Sequence, residues 1–221
     1  MEPGDILRRS WELYRAHPRH LIGIAAVVFV PLGVVGGVLA GLGWPGVLAA
    51  NLLGLAAIFF VQGALVKAVE DVRDGRVDLG IAGTFGHASG RLVALAGAGI
   101  LALVGICIGL VLLIVPGLVL LTWWLVVSPV IMIEHRRVLE SFGRSRELVQ
   151  GSAWPVFTVA VLTLLIILVA GVVLALALSP INSDSWKTLI GQAVTNSLAA
   201  PFAAVAWTLT YFRLREIEEG E

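Results

Sequence analysis

Three side-chain amides stand inside otherwise apolar stretches: Asn51, and Gln192 with Asn196 about one helical turn later. Gln62 follows Asn51 by about three turns on the same helical face. In hydrocarbon such a group either lines a polar pocket or ties helices together through a hydrogen bond worth about 0.6 kcal/mol. Asn51, Gln192 and Asn196 therefore form a candidate intramembrane polar cluster, with interhelical bonding as the plainer reading.

Glu134 closes a long uncharged run and is followed at once by Arg136 and Arg137, and later by Arg144. Two readings fit this spacing. One is an exposed interfacial ion pair worth about 0–1 kcal/mol. The other is a clamp joining the preceding apolar segment to the charged segment after it.

The remaining chemistry is sparse. His17, His20, His87 and His135 all fall in charged segments. A metal centre needs three or four convergent ligands, and no spacing here supplies them, so neither metal nor cofactor is expected. No nucleophile elbow, metalloprotease helix, phosphate-binding loop or intramembrane carboxylate pair occurs, so no catalytic residue is assigned and the chain is not read as an enzyme. No Asp, Glu, Lys, Arg or His lies in the middle of an apolar stretch, which argues against a proton-coupled carrier or a charge-lined channel. Cys107 is the single cysteine and sits in an apolar run, where it reads as a small packing residue.

The elements that would carry these groups are apolar helices. Hydrophobic residues make up 58% of the chain and charged ones 14%, with a mean hydropathy of +0.96. A water-soluble fold of this size could not hide so much apolar surface, so the bilayer is the simplest solvent. Net charge is zero, which leaves no basic field for nucleic acid. Six segments are long enough to span: Leu21–Leu42, Val47–Val69, Leu92–Val115, Gly117–Ile133, Trp154–Leu178 and Leu189–Phe212. The third and fourth are one uncharged stretch, too long for one crossing, and Pro116-Gly117 is its expected turn.

Every Lys and Arg except Lys187 falls on one side of this arrangement. The positive-inside rule makes that side cytoplasmic, with both termini on it, and the expected location is the plasma membrane. Trp44 and Trp186 would mark the outer boundary, and Trp11, Tyr14, Trp154, Trp207 and Tyr211 the inner one.

A charged segment of helical period precedes each pair of spans. In the first, Ile6, Leu7, Ser10, Trp11 and Tyr14 share a face; in the third, Val138, Phe142, Ser145 and Val149 do. Arg-Ser-x-Glu-Leu recurs in both, at Arg9 and at Arg144. A weaker version covers Asp78 to Ser89. The fold expected is all-α: six transmembrane helices as three hairpins, each preceded by a cytoplasmic amphipathic helix along the inner interface. These form one membrane domain over 1–221, with repeat-like units at 5–69, 78–133 and 138–213. Arg8, Arg9, Arg144 and Arg146 are the candidate lipid-headgroup contacts. The plainer reading of these helices is that they only orient the hairpins.

Glycines at fourfold spacing, Gly33, Gly37 and Gly41 and then Gly105 and Gly109, suit close helix contacts within or between copies. Pro31, Pro129 and Pro201 would kink their spans.

Three stretches carry a resemblance. They are Ile6 to Arg15 with Pro31 beyond it, the block Pro116-Gly117 through Pro129, Glu134, Ser145 and Gly151, and Tyr211-Phe212-Arg213-Leu214-Arg215. Together they resemble the glycerophosphoryl diester phosphodiesterase membrane-domain family. The resemblance implies a membrane module and no catalytic residues. In fused members a separate soluble barrel performs the hydrolysis, and only eight residues follow Arg213 here. The expected function is a membrane scaffold or lipid-interacting module whose partners are membrane lipids and a further protein or second copy. A transporter or channel for a neutral or amphipathic molecule is the alternative.

Overall fold

The computed structural model describes residues 2–73, 80–177 and 184–220. Those residues form ten helices: α1 (Pro3–Ala16), α2 (Pro18–Ala40), α3 (Trp44–Arg73), α4 (Ile81–Ser89), α5 (Leu92–Leu112), α6 (Ile114–Trp123), α7 (Val127–Ile133), α8 (Val138–Val149), α9 (Ala153–Ala177) and α10 (Asp184–Gly220). Among the described residues five helical stretches are long and apolar enough to cross a membrane: α2, α3, α5, α6 with α7, and α9. Their outer faces are apolar as well. Val38 is 70% exposed and Val111 86% exposed, a pattern that suits lipid and not water. The chain is an all-helical, multi-pass membrane protein. The expected sixth span lies within α10; the side chains of residues 184–190 and of Gln192, and residues 178–183 before them, lie outside the described residues, as do Asp78 and Leu79 of the second charged segment.

Turns follow local chemistry. Proline opens α1 and α2, where its missing N–H costs nothing. Gly43, at φ +82°, closes the turn between α2 and α3. The α5–α6 turn falls at Leu113, not at Pro116-Gly117. Leu113 alone is extended, and Pro116 sits in the first turn of α6, a position proline favours. Gly117 serves a different need, close approach. A methyl group on Gly109 would stand 2.9 Å from the Gly117 Cα, and one on Gly105 would meet the Trp124 ring at 2.6 Å. Small residues thus let α6 fold back along α5.

The expected fourth span, Gly117–Ile133, is not one continuous helix. It breaks at Trp124–Val126 into α6 and α7. Pro129 cannot donate to the Leu125 carbonyl, and it falls in the first turn of the new helix.

The first amphipathic helix, α1, packs on α10. Ile6, near its start, shares a pocket with Leu209 and Phe212. Tyr14, near its end, donates to the Leu198 carbonyl at 3.3 Å and meets the Phe202 ring edge-on. Both ends therefore touch α10, at points many residues apart, so α1 runs antiparallel along α10. The reason is aromatic: Trp11 and Tyr14 stack on each other and both pack edge-on to Phe202.

Two buried clusters hold the bundle. Leu21, Phe29, Leu65, Val69, Leu95 and Ile131 belong to the larger, which joins α2, α3, α5 and α7. Val130, Leu148, Val156 and Tyr211 belong to the second, which joins α7, α8, α9 and α10.

Candidate functional site

The break between α6 and α7 leaves the Trp123 carbonyl without its helical partner, because the Val127 N–H bonds to Trp124 instead at 3.3 Å. Ser145 of α8 supplies the missing donor, its Oγ 2.6 Å from the Trp123 oxygen. The same helix packs Phe142 edge-on to Trp124 at 4.8 Å and lays the Arg146 guanidinium over the Trp123 ring at 4.4 Å. The serine of the Arg-Ser-x-Glu-Leu motif is thus the cap of a broken helix. Among the described residues its counterpart Ser10 bonds only within α1, to the Ile6 carbonyl at 2.7 Å.

At the far end of α7 the chain reverses through His135, at φ 57°, a conformation that His tolerates better than most residues. Arg91 holds this reversal by donating to the His135 carbonyl at 3.1 Å. Glu134, just before it, collects donors from three directions. Arg136 Nε lies 2.9 Å away, Arg144 Nε 3.2 Å, and the Tyr211 hydroxyl 3.1 Å. Arg144 reaches on to Glu218 in a two-pronged contact, both distances 2.6 Å. Only 13% of the Glu134 side chain and 15% of the Arg144 side chain are exposed, and Tyr211 is fully buried. Bidentate, partly desolvated pairs of this kind are the strong ones. Hydrogen bonding to Glu218, then attraction to Glu134, holds the Arg144 pKa above its ordinary value. The same contact pulls the Glu218 carboxyl below its usual range. Arg215 is likewise held more firmly protonated, first by its hydrogen bond to Tyr211.

Glu134 is therefore the clamp and not the exposed pair. It joins α7 to α8, as that reading requires, and adds α10 through Tyr211 and Glu218. Among the family-motif positions, Glu134, Tyr211 and Arg215 meet directly, and Ser145 and Pro129 shape the break beside them. Gly151, at φ +90°, turns α8 into α9. Pro116 and Gly117 are remote, at the start of α6. Arg213 faces elsewhere and pairs with Glu216 at 2.9 Å. No spacing in the sequence marked Tyr211 as a partner of Glu134; it stood out only as an interfacial aromatic within a motif.

The headgroup candidates divide. Arg144 donates to Glu134 and Glu218, and only 15% of its side chain is exposed. Arg8 is exposed and pairs with Asp5 at 3.1 Å. Arg9 is exposed on α1, and Arg146 covers Trp123.

Asn51 and Asn196 line one cavity of about 410 Å³ between α2, α3 and α10, with Phe29, Gly33 and Gly36 on its wall. Asn51 donates to its own helix, to the Val47 carbonyl at 2.8 Å, which leaves its amide oxygen for another partner. The Gln192 side chain lies outside the described residues. Gln62 is buried elsewhere, with its amide oxygen unpartnered. Such a cavity suits a small neutral or amphipathic guest. Among the described residues no three His, Cys, Asp or Glu side chains gather as a metal site.

No protein-family model matches this chain, and no curated protein or solved structure does either.

Proposed function

We propose that this chain is a six-span module of the plasma membrane, with both termini cytoplasmic, that works through lipids and a protein partner and not by catalysis. The sixth span is the apolar part of α10, Leu189–Phe212, and the spans pair as three hairpins. One observation carries the reading: the charged ends of α1, α3, α8 and α10 collect at one end of a bundle whose flanks are apolar. There Arg73 lies beside Phe212 and Glu216, and Arg144 beside Glu218. An end that gathers nearly all the Lys and Arg of an apolar bundle suits the inner leaflet by the positive-inside rule. Glu134, Ser145 and Tyr211 fix the geometry of that end, and the module role is what the resemblance to the membrane-domain family implies.

Native mass spectrometry of the protein extracted with its own lipids tests this. Retained lipids or a retained polypeptide are expected, and a bare chain would overturn the proposal.

A second reading is favoured by the cavity that Asn51 and Asn196 share. On it, the chain carries a neutral or amphipathic molecule. Alanine at both positions should then abolish a flux phenotype; unchanged flux would remove this reading.

A further inference from the structure

Arg9 of α1, Arg73 of α3 and Arg213 of α10 line one pocket of about 400 Å³ at the charged end of the bundle. Its apolar wall is Ile6, Leu209 and Phe212, and its acids are Glu2, Asp5 and Glu216. These cations and acids are unevenly matched. Glu216 is shared by Arg73 at 3.7 Å and Arg213 at 2.9 Å, and Asp5 is taken by Arg8 at 3.1 Å. Arg9 and Glu2 have neither ion pair nor hydrogen bond among the described residues. Arg73 is held in place by its stacking over the Phe212 ring at 4.1 Å.

Among the described residues, a pocket so lined offers an unpaired cation and, within the same enclosure, an unpaired carboxylate. A simple anion would satisfy Arg9 and be repelled by Glu2. A zwitterion satisfies both. The apolar wall sits where α10 passes from apolar to charged sequence, at the depth where a phospholipid carries its headgroup. We propose that this pocket binds the headgroup of an aminophospholipid, with the phosphate between Arg9 and Arg213 and the ammonium toward Glu2. The guanidinium forks suit phosphate oxygens, and a primary ammonium has three donors for a carboxylate where a quaternary one has none. The inference rests on the membrane-module reading and gives it a ligand class.

The test uses the full chain in detergent, titrated by native mass spectrometry with dioleoyl phosphatidylethanolamine, phosphatidylcholine and phosphatidylglycerol. One phosphatidylethanolamine should bind in preference to the other two. Arg9→Gln removes an exposed group without a partner among the described residues, so folding should be unaffected, and it should weaken that binding about tenfold. Glu2→Gln should erase the preference for phosphatidylethanolamine over phosphatidylcholine. Soluble phosphoethanolamine should not displace the lipid; displacement at equal concentration would assign the pocket to a water-soluble ligand and overturn the proposal. Equal binding of the three lipids, or no effect of Arg9→Gln, would also overturn it while leaving the membrane-module reading intact. That reading fails separately, if the protein leaves its own membrane with neither lipid nor polypeptide attached.

Discussion

Tyr211 donates its hydroxyl to Glu134 at 3.1 Å, across 77 positions of sequence. The bond joins the last helix of the chain to the end of the broken fourth apolar segment. It helps to fix which way the Glu134 carboxylate points: Arg136 Nε approaches the second oxygen, and Arg144 Nε lies between the two, at 3.3 and 3.2 Å.

Removing that hydroxyl should cost less than removing the arginine. Tyr211→Phe deletes one buried hydrogen bond to a charged group, a loss of about 1.5–3 kcal/mol. Arg144→Ala strips both Glu134 and Glu218 of their main partner. Arg136 still faces Glu134, so the loss should fall near the lower limit for a broken buried pair, about 3 kcal/mol. Thermal unfolding in detergent should rank the variants in that order. Equal stability of Arg144→Ala and the parent would show the clamp to be ornamental.

Ser145→Ala should leave the Trp123 carbonyl unpartnered at the helix break. The expected loss is about 1–3 kcal/mol, the cost of an orphaned buried acceptor. Ser10→Ala, at the matching position of the first motif, should be nearly silent, since that hydroxyl bonds only within its own helix. A matched pair of unfolding curves measures the contrast, and similar losses in both would contradict the capping role.

These two serines show what the sequence could and could not disclose. Apolar length alone identified the stretches of α2, α3, α5 and α9, because spanning the hydrocarbon is a demand on composition. The motif around Ser145 was visible, but its role was not, since the partner is a backbone carbonyl exposed only by the break that Pro129 produces. Pro116 drew the eye to the wrong turn because proline both ends and begins helices, and only packing against Gly109 decides between them. Asn51 and Asn196 share one cavity because both stand on the half of α3 and α10 away from the charged end, and only packing made those helices neighbours. Tyr211 and Glu134 could not be paired, as no rule of spacing reaches across separate spans.

The contact between Arg144 and Glu218 sets an acid dependence. The folded-state pKa of Glu218 lies below its ordinary value of 4.5. Its stabilising contribution is therefore full above the unfolded-state pKa and is lost as pH falls through the lower folded value. The stability gap between the parent and Glu218→Gln should hold steady from neutral pH down to about 5 and close below the ordinary carboxylate range. Glu218 is nearly half exposed, so the gap is small at every pH. A gap that widened on acidification would reverse the assigned sign.

The turn between α5 and α6 gives a prediction about depth. Val111, Leu112, Leu113, Ile114 and Val115 form a turn without one polar side chain, and Leu112 is 73% exposed. A turn in water would carry polar residues, whereas an apolar tip is stable only where lipid covers it and its backbone groups are paired. Two N–H groups at the turn have partners: that of Leu113 donates to Gly109 at 3.0 Å, and that of Gly117 to Leu113 at 3.5 Å. In a Cys107→Ala background, cysteines at Asp184, Ile114 and Leu139 separate the alternatives. An impermeant thiol reagent added outside intact cells should label Asp184→Cys quickly. It should label Ile114→Cys slowly, because a thiol in hydrocarbon stays protonated and unreachable. It should not label Leu139→Cys until the membrane is opened. Fast labelling at Ile114 would place the tip in water, and labelling of Leu139→Cys in intact cells would invert the proposed orientation of the chain.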